Sequence, residues 1–77
     1  MDVKVMFFGV LAEVTGTTFL NYTGVKTLSD LRQRITDRHP EIVHYNYRIA
    51  VNNLFTDDDC TLSDGDEVAF LPPFAGG

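Results

Sequence analysis

Two glycines close the sequence, Gly76-Gly77, behind Phe74-Ala75 and a double proline, Pro72-Pro73. Pro72 and Pro73 fix φ and lack a backbone N–H, so they end the strand-like run before them and hold the remaining residues off a sheet in extended form. At about 3.1 Å per residue in polyproline geometry, residues 72–77 reach on the order of 18 Å. Gly76 and Gly77 add no side chain. The group such an arm presents is a terminal carboxyl with an uncrowded acyl carbon, on a backbone slender enough to thread a narrow channel. A frayed end is the plainer reading of any terminal glycine pair. At a glycine frequency of about 7%, such a pair arises by chance in roughly 0.5% of chains, and the prolines and aromatic ahead of it favour a working arm.

Other reactive side chains are sparse. Cys60 is the one cysteine, so no internal disulfide is expected, and no Cys/His cluster has metal-ligand spacing. Cys60 paired with His39 or His44 as a thiol nucleophile would lack an orienting third group and a glycine-rich oxyanion loop. Asp57-Asp58-Asp59 lacks the alternating spacing and central glycine of a calcium loop and reads as a solvated acidic loop. The span from Asp57 to Glu67 nevertheless holds six acidic residues and no basic one, and is expected to face basic surfaces on a partner. Lys4 and Lys26, the only lysines, read as surface residues.

A net charge of −5 with six Lys and Arg excludes nucleic acid as a natural partner, because affinity for a phosphate backbone comes mainly from those cations. With 77 residues the chain makes one domain, which buries a little over ~60% of its unfolded surface. Hydrophobic residues at 44%, six Phe and three Tyr among them, make it a folded chain. The start, Met1-Asp2-Val3-Lys4, opens on a strand pattern with no basic leader followed by an apolar stretch, and no apolar run is long enough to span a membrane. The expected location is cytoplasmic, with no membrane partner. Asn21-Tyr22-Thr23 then matches the glycosylation sequon by accident.

The elements that must position the arm can be read from periodicity. Asp2 to Phe8 alternates, with Val3, Val5 and Phe7 on one face and Lys4, Met6 and Phe8 on the other, which predicts a strand. Val10–Thr15 predicts a short helical turn ended by Gly16, and Thr17 to Thr23 a second strand that pairs with the first. Thr27-Leu28-Ser29-Asp30 resembles a capping box, in which the Asp30 carboxylate reaches back to the cap. Leu28, Leu31 and Ile35 come next at helical spacing, and Pro40 ends the helix at His39. Tyr47 to Val51 predicts a third strand, Asn52-Asn53 a turn and Leu54-Phe55 a short edge segment. Asp64-Gly65-Asp66 turns the chain into a last strand, Glu67 to Leu71.

This order predicts an α+β fold, a mixed sheet of four to five strands packed on one main helix, with residues 1–71 as the domain and 72–77 as its tail. Val3, Val5, Phe7, Leu28, Leu31, Ile35, Ile49, Val51, Val68 and Phe70 are the core candidates, and Leu62 is an isolated apolar anchor. One helix covers only one side of such a sheet. Met6, Phe8, Ala69 and Leu71 are therefore expected on an open side near the tail, forming an apolar patch for a partner.

Three blocks carry a resemblance. Lys4-Val5-Met6-Phe7-Phe8, Ala50-Val51-Asn52-Asn53 and the closing run Asp64-Gly65-Asp66-Glu67-Val68-Ala69-Phe70-Leu71-Pro72-Pro73 with Gly76-Gly77 look like the small subunit of molybdopterin synthase, the MoaD type. The closing block is the most specific; the helix and residues 41–47 match in character only. The resemblance implies a ubiquitin-like β-grasp fold that carries sulfur. It implies an E1-like activating enzyme that adenylates Gly77 with ATP, a sulfur donor that converts the acyl group to a thiocarboxylate, and a large synthase subunit that receives the tail. Sulfur then passes to cyclic pyranopterin monophosphate. Gly77 is thus the reactive position, with Phe8, Leu71, Pro72, Pro73, Phe74, Ala75 and Gly76 as partner-binding residues and Phe74 as an aromatic anchor at the channel mouth. The same resemblance implies a heterotetramer of two small and two large subunits, no cofactor bound by this chain, and catalytic groups on the large subunit.

The chemistry accounts for the tail in its own terms. A carboxylate is a poor electrophile and needs activation before sulfur displaces the phosphate, so the site must be a free C-terminus. Two alternatives share the terminal glycines: a ThiS-like carrier for thiamine thiazole synthesis and a ubiquitin-like modifier or binding module. The insert from Gly9 to Gly16 is longer than the tight turn associated with the ThiS-like carrier.

Overall fold

The structure is a computed structural model that describes residues 2–73. Strand β1 (Asp2–Phe7) buries Val3, Val5 and Phe7 and exposes Lys4, as the two-residue period of a strand dictates. Helix α1 (Val10–Thr15) stops at Gly16, whose left-handed φ of 76° lets its N–H donate to the Ala12 carbonyl. The chain returns as β2 (Phe19–Thr23), antiparallel to β1 with Leu20 opposite Val5. This strand begins two residues later than its sequence pattern predicts. The Thr17 hydroxyl accepts from the Phe19 N–H at 3.2 Å and donates to the Phe19 carbonyl at 2.9 Å, a side-chain turn that delays pairing.

Helix α2 (Leu28–Arg38) is capped by Thr27, whose hydroxyl oxygen accepts from the Asp30 N–H at 3.1 Å. The reciprocal half of the expected capping box is replaced: the Asp30 carboxylate lies 3.6 Å from Arg34 Nε. A second cap arrives from far along the chain. Asp59 accepts from the Ser29 N–H at 2.8 Å and from its hydroxyl at 2.9 Å, placing a carboxylate at the positive end of the helix dipole. Before Pro40 the helix ends as expected, and the chain adds a 3₁₀ turn, Pro40–His44, that fully buries Ile42.

Strand β3 (Arg48–Val51) and β4 (Leu54–Thr56) form a hairpin across Asn52 and Asn53, both with positive φ, as a two-residue primed turn requires. Strand β5 (Glu67–Leu71) closes the domain. The five strands take the order β2-β1-β5-β3-β4, with β5 in the middle, parallel to β1 and antiparallel to β3. This is the mixed sheet on one main helix that the sequence predicts.

Leu28, Leu31 and Ile35 of α2 join Val3, Val5, Phe7, Ile49, Val68 and Phe70 in one apolar core. Val51 is half-buried at its border instead of inside it, where β3 pairs it with Leu54 of the edge strand. Leu11, Val25, Ile42 and the anchor Leu62 complete the cluster. Phe70 sits at its centre, its ring 5.4 Å from Phe7 and 5.1 Å from Tyr47.

The Ser29 N–H, its hydroxyl and the Cys60 N–H hold the Asp59 carboxyl below its ordinary range. A carboxyl depressed on folding adds stability above its unfolded pKa and loses it as pH falls through the folded value. Asp59→Ala should therefore melt below the unsubstituted protein at neutral pH, with the gap closing in acid below the carboxylate range. A gap of the same size in thermal melts at both extremes would contradict the cap.

Candidate functional site

A strand in the middle of a sheet delivers the chain beyond it at the centre of the sheet's end. The β1–β5 pairing continues past β1, where the Phe8 N–H donates to the Phe70 carbonyl at 3.1 Å. Leu71 is half-buried and stands in register with Arg48. Pro72 is half-buried and Pro73 exposed. Gly9, at φ 58°, passes so near the tail's first residue that a Cβ there would lie 2.9 Å from Pro72 Cγ. Phe74, Ala75, Gly76 and Gly77, the positions expected to enter a partner, lie outside the described residues.

The opposite end of β5 is fixed by polar contacts. The Asp66 carboxylate accepts from the Ser63 N–H at 2.7 Å and from the Asn52 side-chain amide at 3.0 Å, which together hold it below the ordinary carboxylate range. The Asn52 side-chain oxygen in turn accepts from the Glu67 N–H at 3.0 Å, and the Asn52 N–H donates to the Glu67 carbonyl at 2.7 Å. Asp64 accepts from the Asp2 N–H at 2.6 Å. Three of the six acids between Asp57 and Glu67, namely Asp59, Asp64 and Asp66, are thus acceptors within the fold. That stretch is not one free acidic face.

The side of the sheet away from α2 is open. Register aligns Phe19, Met6, Ala69, Ala50 and Phe55 in one row across all five strands. Phe8 is 44% exposed, Phe19 46% and Phe55 55%. Met6, Phe8, Ala69 and Leu71 occupy this side as expected, whereas Phe19 and Phe55 emerge only from the cross-strand register. Beside the tail exit, Met6, Phe8, Gly9, Ala12 and Phe19 line a shallow apolar groove of about 430 Å³. A patch of this composition suits protein docking.

Catalytic groups do not gather here. Cys60 packs against the core, and no group of three or more potential metal ligands occurs among the described residues. A smaller cleft of about 140 Å³ between α2 and the β3–β4 hairpin is lined by Ser29, Arg32, Tyr47, Asp57 and Asp58. Its Ser29 groups are already committed to Asp59. No helix among the described residues is long and apolar enough to cross a membrane. What the arrangement offers is a central strand that leads into Pro72 and Pro73, with an apolar surface beside them.

The ThiS family pattern matches residues 5–77. The chain belongs to the ThiS family. Among relatives, it is 36% identical to the molybdopterin synthase sulfur carrier subunit of Escherichia coli over 97% of this chain and 99% of that one. Its fold is similar to a chain in the complex of subunits 1 and 2 of molybdopterin-converting factor from Helicobacter pylori, with a TM-score of 0.78, 29% identity and full coverage of both chains. It is also similar to small archaeal modifier protein 1 from Methanosarcina acetivorans, with a TM-score of 0.84, 26% identity, 99% of this chain and 96% of that one. The expected β-grasp architecture is therefore that of this ThiS-family chain.

Adjacent phenylalanines on opposite faces test the division between core and docking side. Phe7→Ala empties a buried site and should cost about 3–5 kcal/mol, a large share of the stability of a domain this small. Phe8→Ala, on the open side, should cost less than about 1 kcal/mol. Urea midpoints compare the two directly, and equal losses would contradict the assignment of faces.

Proposed function

We propose that this chain is the sulfur-carrier subunit of a molybdopterin synthase, delivering sulfur from a Gly77 thiocarboxylate to cyclic pyranopterin monophosphate in the cytoplasm. The observation that carries this reading is the near full-length similarity to the E. coli carrier subunit, joined to a central strand that runs directly into Pro72-Pro73 and the terminal glycines.

The chain's own part is presentation. An E1-like partner uses ATP to adenylate the Gly77 carboxyl and expels pyrophosphate; a sulfur nucleophile then displaces AMP, leaving the thiocarboxylate. The thiocarboxylate sulfur then displaces an oxygen substituent from a pterin side-chain carbon, and water cleaves the resulting thioester, leaving sulfur on the pterin and restoring the Gly77 carboxylate. No cofactor is needed on this chain for any of these steps, and the catalytic groups belong to the large subunit. Gly76 and Gly77 keep the acyl carbon approachable, and a side chain at either position would obstruct the channel. Phe74 and Ala75 come between Pro73 and those glycines in the sequence and would enter the same channel with them. The open sheet side, with Phe8 and Leu71 next to Pro72 and Pro73, is the surface on which the large subunit sits. The H. pylori complex of subunits 1 and 2 supports a partner of that kind. The assembly proposed is a heterotetramer of two small and two large subunits.

A modifier is the second reading, favoured by the similarity to small archaeal modifier protein 1. Intact mass after co-expression with the activating enzyme separates the two. A fraction heavier by one oxygen-for-sulfur exchange is expected of a carrier, whereas covalent adducts to other proteins would point to a modifier. Deletion of Gly77 should abolish pterin sulfuration in a reconstituted synthase and leave the melting temperature unchanged. Sulfuration by the deleted chain would overturn the carrier reading.

A further inference from the structure

Beside the tail exit, the open side carries a cation in a fixed position. Arg48 is exposed on β3, directly opposite Leu71, the last residue of β5. Its guanidinium carbon lies 4.2 Å over the ring of Phe55, its diagonal neighbour on β4. Stacking on an aromatic face restrains the planar guanidinium while leaving its N–H donors free at the edge. The only ion pair among the described residues is Arg34 with Asp30, on α2, so Arg48 has no carboxylate at ion-pair distance among them. The other lysine or arginine on this side, Lys4, lies at the far end of the sheet, in register with Glu67.

The surrounding charge makes this position unusual. On its far flank Arg48 borders the cleft that holds Asp57 and Asp58, yet the row next to it on the open side is Phe19, Met6, Ala69, Ala50 and Phe55, without a charge. A partner lying on this side meets apolar surface and, next to the tail, one restrained cation.

We infer that Arg48, held by Phe55, is a specificity determinant for docking, and that the large subunit places a carboxylate opposite it within an otherwise apolar contact. This rests on the carrier reading above. Such a pair fixes how the small subunit is rotated on its partner, and so the line along which Pro72 leads the tail. An acidic partner group at that point is the reverse of the basic surface that the chain's net charge alone suggests. Removal of water around the pair strengthens it, because the apolar row lowers the local dielectric.

Binding of the full-length chain to the large subunit of the same organism, measured across a salt series, tests the inference. Arg48→Glu should weaken binding roughly tenfold or more, and Arg48→Ala should flatten the dependence of affinity on salt. Thermal melts of both variants should match the unsubstituted chain, since the side chain is exposed. Affinity of Arg48→Glu within twofold of the unsubstituted chain, or a loss that does not change with salt, would overturn this inference alone. Failure of the unsubstituted chain to bind the large subunit would overturn the carrier reading with it.

Discussion

Pairing of β5 on both flanks is the constraint on which the rest of the molecule depends. Parallel to β1 and antiparallel to β3, the strand has its hydrogen-bonding groups engaged on either side. Its register is fixed again by side-chain burial, since Val68 and Phe70 face the core and a slip of one residue would turn them to the open side. Asp66 and Asn52 clamp its start, and the Phe8 N–H holds its end at Phe70. A strand fixed at both ends fixes the point at which Pro72 leaves the sheet. Pro72 and Pro73 follow, and without backbone N–H groups they do not extend the sheet as a paired strand.

Economy of size leaves one side of the sheet open. In this chain of 77 residues one main helix packs on five strands and covers one face. The other face is left with whatever alternation places there. Here alternation places Met6, Ala69 and Ala50 inside the sheet and larger aromatics towards both edges, Phe19 on β2 and Phe55 on β4. Ala69 and Ala50 are the small residues of this row, and its aromatics stand on the two edge strands. The helix side carries stability, and the open side is free to serve recognition.

Local signals are the legible part of the sequence. The two-residue period of β1, the Thr27 cap, the Asn52-Asn53 turn and the stop at Pro40 each depend on neighbours a few positions away, and each appears in the structure. Contacts between distant residues are not legible in this way. Asp59 caps α2 through Ser29, 30 residues earlier, by hydrogen bonds that no local spacing encodes. Ile42 is buried because a 3₁₀ turn folds it against the domain, although its flanking sequence has neither strand nor helix periodicity. For the candidate site, Phe8 and Leu71 come from alternation, while Phe19, Phe55 and Arg48 join it only once the order β2-β1-β5-β3-β4 is known.

Net charge is likewise a property of the whole chain and does not give the charge of one face. A total of −5 invites the expectation of a basic partner surface, and the acidic run from Asp57 to Glu67 offers a place for it. In the fold, Asp59 serves α2, Asp64 serves the start of β1 and Asp66 serves the start of β5. These carboxylates stabilise local structure and keep only part of their capacity for a partner. The side beside the tail has almost no charge except Arg48. Long-range attraction and local recognition therefore need not have the same sign: the whole chain repels acidic molecules at a distance, while its docking side accepts an acidic group at contact. Salt weakens both, but unequally. The long-range effect fades beyond about a Debye length, roughly 8 Å under physiological conditions, whereas the partly desolvated contact keeps the larger share of its strength.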